Sequence, residues 1–194
     1  AVLLALSPCQ PFVAAASVYL GPSPYLAFDH PDAGAAVSPF RSIDFAYFHL
    51  EDLEDGAFNV PGGSIREFAT TNIATAFSDS VDGDDGEIDG LATGSSRSLF
   101  SSFSTSSFTF DFSAGVLGKL PTHAGIVWTD VGRNFGGAPL PADLLDNTYF
   151  EAFGPFGESF GVLGPISLGD SSISRTTGED RFFGAIHPAG ISAI

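Results

Sequence analysis

The sequence contains no methionine and only one cysteine, Cys9. One cysteine excludes an intrachain disulfide. The absence of an initiator leads to the expectation that the sequence begins inside its reading frame. Positive charge is almost as scarce: 7 Lys and Arg stand against 23 Asp and Glu, for a formal net charge of −16. A phosphate backbone would be repelled, which argues against nucleic acid as a partner, and anionic lipid is disfavoured for the same reason. Cations are attracted. No apolar run beyond residue 16 is long enough to span a bilayer. No segment keeps a helical period over three turns.

What is present fits a folded chain. Hydrophobic residues make up 44% of 194 positions, so the charge does not imply disorder, and the length fits one domain with a sizeable core. The aromatics are lopsided, with 20 Phe against 4 Tyr and 1 Trp. Sequence rich in Phe, Gly and Ser and poor in Lys suits strands and turns.

Within residues 1–16, Ala1 to Leu6 form an apolar run followed by Ser7-Pro8-Cys9-Gln10-Pro11-Phe12-Val13-Ala14-Ala15-Ala16. This reads as the end of a secretory signal with its charged leader missing, cleaved before Ser17. The alternative is a short buried segment of the mature fold. A lipidated Cys9 is disfavoured by Pro8 directly before it. Residues 17–194 are then one domain. The alternating Gly190-Ile191-Ser192-Ala193-Ile194 is expected to open a strand that continues beyond Ile194.

Between these ends, short alternating segments are separated by Gly, Pro and Asp turns. Expected strands are Ser17 to Leu20, Tyr25 to Phe28, Phe40 to Leu50, Asn72 to Phe77, Ser98 to Phe103, Phe108 to Phe112, Ala124 to Thr129, Thr148 to Phe153, Glu158 to Leu163 and Arg181 to His187. Gly21-Pro22-Ser23-Pro24 and Pro61-Gly62-Gly63 are expected turns. Ile126-Val127-Trp128 is continuous enough for an inner strand. Glu51 to Asp55 and Ala142 to Asp146 each allow one helical turn. Val131 to Asp146 reads as a long loop. The pattern predicts an all-β fold, an antiparallel β-sandwich.

The sharpest chemical feature is Asp79-Ser80-Val81-Asp82-Gly83-Asp84-Asp85-Gly86-Glu87-Ile88-Asp89-Gly90, which holds six of the 23 carboxylates, three glycines and no cation. Two like charges about 5 Å apart repel by roughly 0.8 kcal/mol in water, and about fourfold more at an effective dielectric near 20. The loop either stays fully solvated or gathers around a cation. Hard oxygen ligands on a glycine-rich turn suit Ca²⁺, and Mg²⁺ less because of its stricter geometry. Candidate ligands are Asp82, Asp84, Asp85 and Asp89, followed by Asp79 and Glu87. The loop is not an EF-hand. With Asp85 and Gly86 at positions five and six, positions one and three fall on Val81 and Gly83, which cannot ligate.

His123, Trp128 and Asp130 could line a sugar-contacting site, with the indole stacking on a ring and the polar groups bonding hydroxyls. The competing reading makes Trp128 a core residue and His123 an ordinary loop histidine. Glu179 and Asp180 are adjacent, so on a strand they point to opposite faces and cannot flank one glycosidic bond. An ion pair or turn cap with Arg181 suits them better. The four histidines show no zinc spacing, and no nucleophile elbow or phosphate loop occurs.

Three segments carry a resemblance: the acidic stretch, then Leu120-Pro121-Thr122-His123-Ala124-Gly125-Ile126-Val127-Trp128-Thr129-Asp130, then Glu179-Asp180-Arg181-Phe182-Phe183-Gly184. With the closing Gly190 to Ile194, they resemble a group of uncharacterised bacterial secreted proteins, many of which carry a C-terminal PEP-CTERM sorting signal. The sorting signal itself does not occur here, and Val131 to Asp146 is longer than the usual link. The resemblance implies an exported β-sandwich of jelly-roll type at the cell surface or in the exopolysaccharide matrix. Three functions follow as expectations: a calcium-stabilised surface or matrix module with glycan contacts and no catalytic activity, a carbohydrate-active enzyme on the same scaffold, or a self-assembling surface protein. Fold alone does not separate them.

Overall fold

A computed structural model describes residues 16–26, 28, 34–51, 53, 56–67, 71–74, 98–101, 107–129, 147–168 and 180–194. This part of the chain is mostly β, with antiparallel sheets and almost no helix. The strands are β1 (Val18–Pro24), β2 (Gly63–Glu67), β3 (Thr71–Ala74), β4 (Ser98–Ser101), β5 (Phe108–Phe112), β6 (His123–Trp128), β7 (Asn147–Phe153), β8 (Ser159–Ser167) and β9 (Arg181–Ile186). The single helical turn, α1 (Ala114–Leu117), is capped at its start by Ser113, whose hydroxyl accepts from the Gly115 amide. It ends at Gly118 in the left-handed region. No described helix is long and apolar enough to cross a membrane.

The strand β9 lies between β1 and β6. Its sequence, Arg181-Phe182-Phe183-Gly184-Ala185-Ile186, is almost continuously apolar because both of its faces are covered. The register pairs Tyr19 with Ala185, Leu20 with Gly184, Ala124 with Ala185, and Ile126 with Phe183. With side chains alternating across a strand, Tyr19, Phe183, Ala185, Ala124, Ile126 and Trp128 share one face. Leu20, Phe182, Gly184, Gly125, Val127 and His123 share the other.

A second group of strands is joined by the 192–194 segment. Here β2 pairs with β5, and β7 pairs with β8. Ala193 bridges both Asp111 and Phe153. The Ser192 amide donates to the Phe153 carbonyl at 2.8 Å, and Ile194 and Phe110 exchange backbone bonds at 2.9 and 3.0 Å. Three residues thus tie β5 of the first pair to β7 of the second. A further pair, β3 with β4, runs antiparallel.

The main core gathers Ala124, Phe150, Ala152, Phe183, Ala185, Ile191 and Ile194, with Phe110, Phe112, Phe160, Leu163 and Ile166 packed against them. It draws on one face of the three-stranded sheet and on the inward faces of β5, β7 and β8. Tyr19 crosses this core. The register of β7 and β8 shifts between Glu151 and Phe153, and the Tyr19 hydroxyl meets the backbone there. It accepts from the Ala152 amide at 3.1 Å and donates to the Gly161 carbonyl. Its ring stands edge-on to Phe150. Burial is the main reason its phenol is harder to ionise than usual.

The second face of the sheet is covered by aromatics: Tyr25, Phe40 and Phe182 are buried, with Ile43, Phe45 and Phe48 beside them. The Phe182 ring needs two glycines beneath it. A Cβ on Gly125 would stand 2.5 Å from its Cζ, and one on Gly184 would stand 2.8 Å away. Without those side chains the ring lies across the sheet and becomes the floor for Phe40, at 5.2 Å between centroids, and for Tyr25, at 6.1 Å.

Several sequence expectations change. Gly21-Pro22-Ser23-Pro24 does not turn the chain. It stays in β1, and the register slips there between Leu20 and Ser23. Gly21 takes φ 86°, and a Cβ at that position would sit 2.1 Å from the Phe182 carbonyl oxygen, so the bulge needs glycine. Phe40 to Leu50 is not a strand; this segment instead lays its aromatics onto a finished sheet face. Tyr25 to Phe28 forms no named strand, although Leu26 and Phe28 bond backbone to Ala36 and Ser38. Ile126-Val127-Trp128 lies in a flanking strand, and the inner one is β9. The Ala142 to Asp146 turn and the Val131 to Asp146 loop lie outside the described residues.

Candidate functional site

The acidic stretch, with Asp79, Asp82, Asp84, Asp85, Glu87 and Asp89, lies outside the described residues, as do Asp130 and Glu179. Among the described residues, no group of three or more His, Cys, Asp or Glu is placed to hold a metal ion.

His123 and Trp128 are both on β6, but on opposite faces. Trp128 packs against the main core, with its ring 5.6 Å from that of Phe108. His123 sits under the aromatic cover, edge-on to Phe45 at 5.0 Å and to Phe40 at 5.6 Å. Its Nδ1 lies 2.9 Å from the Thr122 hydroxyl. Burial among these rings holds its pKa below the ordinary imidazole value. Five residues apart on one strand, the two side chains cannot share a ligand. Asp180 is wholly buried, and its carbonyl accepts from Arg181 Nη1 at 2.8 Å.

The solvent side of β7 and β8 offers a different arrangement. Phe150 and Ala152 point inward, so Tyr149 and Glu151 point out. Across the ladder, Val162 stands opposite Glu151, and Ser159 opposite Phe153. Tyr149 and Val162 are each 56% exposed, and Phe156 at the hairpin tip is 94% exposed. Tyr149 rests against Gly164, where a Cβ would lie 3.1 Å from its Cδ1. The Ser159 hydroxyl donates to Glu151 Oε1 and accepts from the Gly161 amide at 2.9 Å. That chain of bonds orients the carboxylate and leaves Oε2 without a protein donor among the described residues. Further along the same outer surface, Arg66 forms a two-point pair with Asp111, with Nη2 to Oδ1 at 2.7 Å.

An outward ring beside an oriented carboxylate can do two things chemically: stack on an apolar face and accept hydrogen bonds from hydroxyls. Sequence reasoning passed over these residues. Thr148 to Phe153 was legible as an alternating strand, but both of its faces carry an aromatic. The small Ala152 beside Phe150 was the one signal that this face turns inward. No family model matches the chain, and no curated protein or solved structure is significantly similar to it.

Proposed function

We propose that this protein is an exported, calcium-stabilised β-sandwich module of jelly-roll type, placed at the bacterial cell surface or in the extracellular matrix, where it contacts exopolysaccharide without catalysis. The sandwich reading is supported by a core that collects side chains from β1, β9 and β6 on one side and from β5, β7 and β8 on the other. The export reading rests on residues 1–16 and on the resemblance to secreted bacterial proteins. The calcium reading rests on the charge density of Asp79 to Asp89.

The observation that carries the contact with glycans is the outward pairing of Tyr149 with Glu151 on the exposed face of β7. Self-assembly through strand edges fits less well. The outer strand β8 carries Gly161 and Gly164 at positive φ, Pro165, and register shifts against β7, features that blunt an edge against further pairing. Co-sedimentation of the chain with insoluble polysaccharides tests this function. Retention on at least one of them is expected, and no retention on any would remove the glycan reading.

A further inference from the structure

We infer that the solvent face of β7 and β8 binds an uncharged polysaccharide, lying along the strand direction and engaged through the interior of the polymer. The inference rests on the exopolysaccharide reading above and assigns it a surface and a ligand class.

The first support is the alternation itself. Along β7 the outward order is Tyr149, Glu151, Phe153, with Val162 and Ser159 across the ladder. Apolar groups are interrupted by an acceptor and a hydroxyl. A protein partner favours a contiguous apolar centre with charge pushed to the rim, and here Glu151 stands in the middle. A sugar chain carries C–H faces and hydroxyls in close alternation, and so matches this pattern. Tyr149 supplies the platform, since its flank rests on Gly164 while over half of the residue stays exposed. Glu151 accepts hydroxyl protons in charge-assisted bonds, and Ser159 and the Gly161 amide set its direction.

The second support is charge. The chain carries a net −16, and the acids on this side of the molecule include Glu151 and Asp111, the latter already engaged by Arg66. A polyuronate or a sulfated polymer would bring like charge onto Glu151, whereas a neutral polymer brings donors to it. The third support is shape. Tyr149 and Phe153 are four residues apart on an extended strand, on the order of 13 Å. An extended row of that length suits successive units of a chain better than a single terminal ring.

The test is affinity electrophoresis of the full chain in gels containing a neutral glucan, mannan or galactan, or a polyuronate, with Tyr149→Ala, Glu151→Gln and Val116→Ala run alongside. Val116 is exposed on α1, beside Gly62 just before β2, and is not part of β7 or β8. Retardation by a neutral polymer, about tenfold weaker for Tyr149→Ala and several-fold weaker for Glu151→Gln, with Val116→Ala unchanged, supports the inference. Melting temperatures of the variants near that of the parent show that the loss is not unfolding. Retardation that survives both substitutions leaves the glycan reading standing and overturns this surface. Stronger retardation by the polyuronate overturns the ligand class. Retardation by no polymer sinks both. A dimer that Tyr149→Ala dissociates makes the face an interface between copies and also overturns the inference.

Discussion

His123 shows what one titratable group does inside an aromatic shell. Its neighbours Phe40 and Phe45 stand edge-on to it, Ile186 is opposite on β9, and Thr122 meets its Nδ1. Its pKa is lowered on folding by burial. The unfolded chain therefore takes up the proton first as the pH falls. The contribution to stability is complete above the unfolded value of about 6.5 and is lost as the pH drops through the lower folded value. Chemical denaturation at pH 7.5 and at pH 5 should show a larger drop for the parent than for His123→Gln. Equal drops would mean that the shell does not resist the charge. None of this could be read from the sequence, where His123 was either a sugar-contacting candidate beside Trp128 and Asp130 or an ordinary loop histidine. Its partners lie some eighty residues earlier, in a segment whose alternation suggested a strand of its own.

Tyr19 acts between elements. It starts on β1 and ends on the backbone where β7 and β8 lose register. A register shift leaves ladder groups without strand partners, and a buried group left so costs about 1–3 kcal/mol. Tyr19→Phe keeps the ring and removes the partner for the Ala152 amide and the Gly161 carbonyl. A loss of about 1–3 kcal/mol is expected, read in urea melts as a lower midpoint with an unchanged slope. No loss would mean that water replaces the hydroxyl. Sequence logic worked best for elements whose neighbours are simple. Phe108 to Phe112 alternates with Thr109 and Asp111 outward, and β5 has those bounds. It failed for residues 40–50, where alternation of Ile43, Phe45 and Tyr47 suggested a strand. There Phe45 stacks on Phe48, three residues on, and Tyr47 is half exposed. Packing onto an existing face needs no ladder and keeps no period of two. It also failed at Gly21-Pro22, where turn residues serve a bulge fitted to the Phe182 carbonyl.

For the whole molecule, the net charge of −16 makes ions part of the stability argument. If Asp79 to Asp89 bind Ca²⁺ only in the folded state, a hundredfold excess over the dissociation constant adds about 2.7 kcal/mol. For a chain of this size that raises the melting temperature by roughly 5–10 °C. Scanning calorimetry with Ca²⁺ and with chelator measures it, and coincident curves would remove the calcium reading. The antiparallel, nearly helix-free class was legible because turn residues and alternation are local signals. The acidic stretch, by contrast, lies outside the described residues.

The placement of β9 between β1 and β6 has a consequence in time. Val18 meets Ile186 across 168 positions of chain, so the first described strand waits for one of the last. Such distant pairing favours slow assembly. Until β9 arrives, β1 and β6 have nothing between them, and the phenylalanines of both faces stay in water. A chain built this way stays open until β9 has been made.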